Sequence, residues 1–384
     1  MMAHDLFLTL DFPPDRGGVA RYYGALLNAL PQRRVTVVAP WRPFADPYQP
    51  PPNVTIRRVR MLGPRWLWPR WLPLLWHSLR QVTRNRPALL HVGQVLPVGT
   101  VAMIIKRFFG VPYIVYAHGL DLLNARAQPR KRTLAQRVLR RAAAVIVNSG
   151  FTERVARELG GQSARILRVL PGCTLDPTAV SNSDRERFLD EQGTRGRKVV
   201  LTVARLVTRK GVLTALRAFA RLLLDVPDAL YIVVGDGPER QSLEQTLHEL
   251  GLTASVRFVG AVSDVTLLRW FAVCDVFVLV PTALGGADAE GFGIVYLEAG
   301  AFGKPVVASR TGGVADAVQE GVTGLLVPPD DPVATADAIR RLLSDPALAR
   351  RLGEQGRRVV QETATWNQRV QPLKTWLTSF APDS

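Results

Sequence analysis

The pattern that most constrains this chain is an alternation of strand-like apolar runs with helical stretches, which plays through once, breaks, and starts again. In the first half, Leu6–Leu10, Val35–Ala39, Val54–Val59, Ala88–Val92, Tyr113–Ala117, Ala144–Asn148 and Ile166–Leu170 read as strands, with helical stretches between most of them. A polar, turn-rich stretch follows between Pro171 and Arg197. The pattern then resumes with Val199–Val203, Tyr231–Gly235, Val256–Val259, Val276–Val280, Val306–Ala308 and Leu325–Val327, among helical segments that include Leu213–Leu224, Glu239–Leu250 and Val333–Leu343. Strands alternating with helices pack as parallel sheets covered by helices. The expected class is therefore α/β, with two doubly wound domains joined by a linker near Leu175–Pro177. Residues 1–176 form the first domain and 177–362 the second. The last segment, 363–384, has a helical pattern from about Trp366 to Phe380 and no strand after it, so it can fold back onto the first domain. Ligands of open α/β sheets bind beyond the carboxyl ends of the strands. The expected site is a cleft where the strand ends of the two domains face each other.

Composition narrows the class. The 384 residues are 47% hydrophobic and 21% charged, which describes a packed globular chain. No apolar run reaches the ~18 residues needed to span a bilayer; Val95 to Ile105 comes nearest and stops at Lys106. No N-terminal signal pattern is read, and only Cys173 and Cys274 occur, in apolar surroundings that suggest buried thiols. A reducing cytoplasm is expected. His4, His77, His91, His118 and His248 are scattered, without metal-ligand spacing, so no metal site is expected.

The charge is lopsided. Residues 1–176 hold 26 Lys and Arg against 8 Asp and Glu, a net of +18; the remainder holds 23 against 24, a net of −1, and together these give the +17 of the chain. A positive field confined to one half calls for an anionic partner there.

Five stretches at strand-to-helix turns carry residue types that meet phosphates and sugars. Gly17-Gly18 stands before a helix, where the absence of side chains lets a diphosphate approach the backbone. His118, directly after a strand, can hydrogen-bond a sugar hydroxyl or simply pack in its loop. Arg205 and Lys210 can converge on one anionic group, the first as a bidentate fork and the second as a point charge. Gly235-Asp236-Gly237, ahead of Pro238, permits close approach of a flat base. Glu290-Gly-Phe292-Gly293-Ile294 leads into a helix expected to begin near Phe292, with Glu298 about two turns further along. That turn combines a phosphate-binding helix start with two carboxylates, one able to reach a sugar ring and the other a ribose hydroxyl.

The order of these stretches resembles the retaining GT-B glycosyltransferases of family GT4, over nearly the whole chain. The resemblance implies two Rossmann-like domains, acceptor-binding in 1–176 and donor-binding in 177–362. It implies that Arg205 and Lys210 hold the donor diphosphate, with Gly17, Gly18 and the backbone near Phe292, Gly293 and Ile294 completing the site. Glu298 would hold the ribose, Glu290 and His118 would contact the transferred sugar, and the base would lie near Gly235, Asp236 and Gly237. It implies no metal and no cofactor beyond the nucleotide-sugar donor. The stretch from Gly285 to Glu298 is most similar to the phosphatidylinositol mannosyltransferase group, which uses GDP-mannose, although the same turn serves UDP-sugar enzymes.

The expectation is thus a hexosyltransferase, mannose from GDP-mannose by preference, acting with retention through a front-face displacement on a lipid-linked, glycan or otherwise amphipathic acceptor. A UDP-sugar transferase with a small soluble acceptor and a nucleotide-sugar epimerase remain open. A nucleic-acid-binding protein is disfavoured, because no helix-turn-helix, zinc or RNA-sheet signature accompanies the charge. Trp66, Trp68, Trp71 and Trp76 crowd one segment among arginines. Leu72, Leu75, Trp76, Leu79 and Val82 fall at helical spacing and are expected to form its buried stripe, leaving Trp66 and Trp68 exposed. With Arg130, Lys131 and Arg132 they suit an anionic membrane surface, and peripheral attachment to the inner face of the cell membrane is expected.

Overall fold

The computed structural model describes residues 3–15, 17–30, 33–42, 48–160, 165–283 and 289–380. The chain divides into two compact units, one spanning Met1–Pro171 together with Trp366–Ser384, the other Gly172–Thr365.

The first unit is built on a parallel sheet of β1 (His4–Leu8), β2 (Arg34–Pro40), β3 (Val54–Val59), β4 (Leu89–Val92), β5 (Tyr113–Ala117), β6 (Ala144–Val147) and β7 (Arg165–Arg168), in the order β3-β2-β1-β4-β5-β6-β7. Its described helices are α1 (Gly18–Asn28), α2 (Leu72–Asn85), α3 (Val98–Phe109), α4 (Leu120–Arg126), α5 (Pro129–Arg141) and α6 (Gly150–Glu158). The order of strands reverses at β1, which pairs with both β2 and β4. The central strands are almost wholly apolar because helices cover both faces. Asp5 on β1 is the acidic exception. It is fully buried, and it persists because Arg33 donates to both its oxygens and His91 Nε2 lies 3.3 Å away.

The second unit repeats the plan with β8 (Lys198–Val203), β9 (Ala229–Val234), β10 (Val256–Gly260), β11 (Val276–Leu279), β12 (Val306–Ser309) and β13 (Gly324–Val327), in the order β10-β9-β8-β11-β12-β13. Here the switch falls between β8 and β11. The described helices are α7 (Asn182–Glu191), α8 (Val212–Leu222), α9 (Arg240–Glu249), α10 (Asp264–Val273), α11 (Ile294–Ala301), α12 (Pro332–Ser344) and α13 (Pro346–Thr363). Helices α11 and α13 approach closely through glycine. A Cβ at Gly353 would lie 1.9 Å from the Gly303 carbonyl oxygen, and one at Gly300 would lie 3.3 Å from that of Gly356.

The chain then returns. Helices α14 (Trp366–Arg369) and α15 (Gln371–Ser379) bury Trp366, Val370, Leu373, Trp376 and Leu377 in the apolar cluster of the first unit, beside Tyr22, Tyr23, Ile146 and Val169.

Four expectations need correction. The first crossing between units falls at Pro171 and Gly172, not after residue 176, and the return falls at Thr365 and Trp366, not after 362. The stretch between Pro171 and Arg197, read as polar and turn-rich, contains α7, whose start is fixed by a reciprocal cap between Ser181 and Asp184. In α2 the buried line is Leu74, Ser78 and Val82, while Leu72 and Trp76 are exposed. At 100° per residue Trp76 lies about 200° from Leu74, so a helix with Leu74 inward turns Trp76 outward. Cys274 is buried as expected, but Cys173 is only partly so, and neither lies within a strand. Burial pushes both thiols up to about 12.

Candidate active site

Three loops of the second unit meet beyond the carboxyl ends of β9, β8 and β11, the last two of which flank the switch point. They are stitched backbone to backbone. The Leu206 N–H donates to the Asp236 carbonyl at 3.0 Å, that of Glu239 to Leu206 at 3.2 Å, and that of Thr282 to Arg209 at 3.0 Å. Such proximity leaves no room for side chains at the crossings. A Cβ at Gly235 would lie 1.9 Å from the Ala204 carbonyl oxygen, and one at Gly237 would lie 2.2 Å from that of Leu206. Gly211, at φ 66°, stands in the same relation to Val280, at 1.8 Å. The glycines first read as space for a ligand base are therefore also required by the packing of the loops on each other.

On this platform Arg205 is exposed, and Lys210 ends a short 3-10 turn over Thr208–Lys210. Lys210 Nζ donates to Glu290 Oε2, with both side chains nearly buried at 14% and 12% exposure. Burial pushes the Glu290 carboxyl up, but the Lys210 ammonium beside it and the Arg209 guanidinium overcome that, leaving its pKa below the ordinary glutamate value. The Glu290 backbone is pinned too, since its carbonyl accepts from the Gly313 N–H at 2.8 Å.

Gly293 caps the N-terminus of α11 in the left-handed conformation, at φ 89°. Tyr296 packs beneath it, so that a Cβ at 293 would lie 2.3 Å from its ring, and its hydroxyl donates to the Leu279 carbonyl at 2.9 Å. The turn is thereby fixed to the end of β11, with the first N–H groups of α11 directed beyond it. The helix begins at Ile294, two residues later than expected, so Glu298 lies little more than one turn from its start. Phe292 is buried, which leaves only its backbone for a ligand. Glu298 is 3% exposed and close enough to Cys173 to raise its thiol pKa. Residues 284–288, which open the Gly285–Glu298 stretch, lie outside the described residues.

The remaining expected residues belong to the first unit. Gly17 caps α1 and Gly18 begins it, and a Cβ at either would meet nothing within 4 Å. His118 follows β5, its backbone N–H donating to Asp121 Oδ1 at 3.0 Å. Trp66 and Trp68 are 84% and 86% exposed, and Arg130, Lys131 and Arg132 are exposed in the first turn of α5. Among the described residues no group of three or more His, Cys, Asp and Glu could hold a metal ion, and no helix is long and apolar enough to cross a membrane.

Arg209, Gly211, Gly312 and Gly313 escaped the reading of the sequence. The Arg209-Lys210-Gly211 run carried a signal, a glycine after two cations at a strand end. Gly312-Gly313 carried none, because its partner is a carbonyl over twenty residues away in the chain.

Two parallel sheets, each with its own switch point, are the two Rossmann-like domains of the GT-B architecture. The family model Glycosyltransferase Family 4 matches residues 16–176, and Glycosyl transferases group 1 matches 184–359. The chain is 31% identical to the GDP-mannose-dependent alpha-(1-6)-phosphatidylinositol monomannoside mannosyltransferase of Mycolicibacterium smegmatis, over 95% of each chain. It is 26% identical to the corresponding monoacylated-acceptor enzyme of Corynebacterium glutamicum, over 94% of each. Among solved structures, sucrose-phosphate synthase from Thermosynechococcus elongatus superposes with a TM-score of 0.84 at 25% identity, covering 99% of this chain and 100% of that one. Anabaena HepE in complex with UDP and glucose gives 0.81 at 24%, covering 98% and 100%. The chain belongs to glycosyltransferase family 4. It is a GT-B glycosyltransferase that transfers a hexose.

Proposed function

We propose that the chain moves mannose from GDP-mannose to a lipid-linked acceptor of the phosphatidylinositol mannoside kind, with retention at the anomeric carbon. The observation that carries the donor site is the Lys210–Glu290 pair, which joins the loop that also bears the exposed Arg205 to the turn before the N-terminus of α11. Two cations and a helix start suit a diphosphate, and a carboxylate at the same point suits the sugar attached to it. The names of the mycobacterial and corynebacterial relatives support mannose and the lipid acceptor.

In this reading Arg205, Lys210 and the backbone at Phe292, Gly293 and Ile294 hold the diphosphate. Glu298 takes the ribose, the base lies by Gly235, Asp236 and Gly237, and His118 meets the sugar. Gly17 and Gly18 let the diphosphate approach the start of α1. As the glycosidic bond breaks, negative charge gathers on the departing phosphate, where Arg205 and Lys210 stabilise it. Glu290 is already committed to Lys210, which makes it a poor nucleophile and favours front-face attack, the leaving phosphate taking the acceptor proton. The positive charge comes from side chains, and no metal is required.

The acceptor membrane is met by the first unit. Helix α3 packs on both α2 and α5. The exposed Leu72 and Trp76 of α2 and the exposed Phe108 of α3 thus belong to the same helical layer as Arg130, Lys131 and Arg132 of α5, and the exposed Trp66 and Trp68 lie in the turns that lead into α2. Aromatic side chains with interspersed cations bind an anionic interface, at about 1 kcal/mol per basic group.

Thermal-shift screening of nucleotide-diphosphate sugars tests the donor, since a ligand at a hundred times its Kd stabilises by about 2.7 kcal/mol. Mass and anomeric analysis of the product formed on phosphatidylinositol mannoside tests the rest. A product made only from UDP-sugars, or with inverted configuration, overturns the corresponding part.

A further inference from the structure

The contacts of His118 decide where its proton lies. Its Nε2 is 2.6 Å from the Tyr23 hydroxyl, and that hydroxyl also donates to the Gly93 carbonyl oxygen. A tyrosine hydroxyl has one proton and a carbonyl oxygen has none. If the Tyr23 proton turned to His118, oxygen lone pairs would face each other across the Gly93 contact. The proton therefore stays on the Gly93 side, and His118 Nε2 must supply the hydrogen of its own contact.

Each partner is held in place. The Gly93 N–H donates to the Leu8 carbonyl at 2.8 Å, and a Cβ there would lie 2.6 Å from Thr9 Oγ1. Tyr22 and Tyr23 meet the imidazole edge-on, at 5.1 and 5.2 Å. Burial raises the Tyr23 hydroxyl pKa well above its ordinary value, so the hydroxyl keeps its proton. Burial also lowers His118 to about 3, so the ring is neutral and carries a single N–H. Among the described residues Nδ1 has no hydrogen-bond partner.

We infer that Tyr23 is a positioning residue that fixes His118 as the Nε2–H tautomer, so that Nδ1 accepts a hydrogen bond from a substrate hydroxyl and rejects acceptor-only groups such as phosphate oxygens. The substrate contact rests on the proposed transferase reading, in which His118 meets the transferred sugar. The tautomer does not rest on it. His118 then acts through a lone pair, and supplies neither a proton nor a charge.

Long-range proton–nitrogen spectra of protein labelled with 15N-histidine test this, the His118 signals being assigned by their loss in His118→Leu. The expected wild-type spectrum shows a pyridine-type Nδ1 and a pyrrole-type Nε2, with no titration between about pH 6 and 8. Tyr23→Phe, which removes one oxygen, is expected to give a mixture of tautomers and about a tenfold fall in kcat/KM for the donor. A protonated Nδ1 in the wild type, or an unchanged tautomer in Tyr23→Phe, overturns the inference. Wild-type turnover by His118→Leu overturns the substrate contact. Absence of any nucleotide-sugar turnover by the wild-type chain overturns the transferase reading and leaves the tautomer standing.

Discussion

Lys210 and Glu290 stand 80 positions apart in the chain and meet as a nearly buried ion pair beyond the strand ends of the second unit. Each keeps the other charged in a place where either alone would be costly. The pair joins the loop after β8 to the turn before α11, so a change at one end is felt at the other.

Lys210→Ala removes the cation proposed to face the departing phosphate and leaves Glu290 uncompensated. Turnover is expected to fall by about 10²–10³. Steady-state kinetics decide the matter, and a rate within about twofold of wild type would remove Lys210 from the mechanism.

The depressed pKa of Glu290 has a consequence for stability against pH. A carboxyl held below its unfolded value stabilises the fold above that value and loses the contribution as pH falls through the folded pKa. The melting temperatures of wild type and Glu290→Gln are therefore expected to differ by a constant amount above the ordinary glutamate value of 4.5, and to converge below it. A gap that widens on acidification contradicts the pairing.

Two glycine substitutions separate packing from ligand space. Gly211→Ala places a methyl at φ 66° against the Val280 carbonyl and is expected to destabilise by about 1–3 kcal/mol in urea unfolding. Gly17→Ala meets nothing within 4 Å at an ordinary φ, so its only expected cost is that of exchanging a glycine N-cap for a poorer one, about 1 kcal/mol or less. If a diphosphate approaches there, turnover still falls about tenfold; unchanged donor kinetics in this variant would take Gly17 out of the site.

Trp66→Ser with Trp68→Ser is expected to weaken flotation with anionic vesicles while leaving the melting temperature in place, because both side chains are largely exposed. Equal recovery of the wild-type protein on neutral and anionic vesicles would argue against membrane contact altogether.

Removal of divalent cations by EDTA is expected to leave turnover within about twofold, since Arg205 and Lys210 supply the charge that a metal provides elsewhere. A loss restored by Mg²⁺ or Mn²⁺ would refute this.

The strands were legible because they are buried on both faces and rich in branched residues, as in Val199–Val203 and Val276–Val280. Helix α13 was not, because its buried line runs through Gly353 and Gly356, which read as breakers until α11 is seen to need their missing side chains. Helix α7 buries only Phe188 and announces itself only through its Ser181 and Asp184 cap. Of the candidate site, the strand-end motifs were visible as residue types in order. The Lys210–Glu290 pair, the clamp of Gly313 on Glu290 and the Tyr23 contact to His118 were not, because each joins distant segments whose meeting depends on strand order.

The return of the chain to its first unit bears on synthesis. The cluster around Tyr22 and Val169 is closed by Trp366, Val370, Leu373, Trp376 and Leu377. A nascent chain emerging from the ribosome thus carries its N-terminal sheet with one flank uncovered while the entire second unit is translated. The second unit, contiguous in Gly172–Thr365, can finish folding first. A premature stop ahead of Trp366 would strip apolar cover from the half of the protein made earliest, and leave the half made just before it intact.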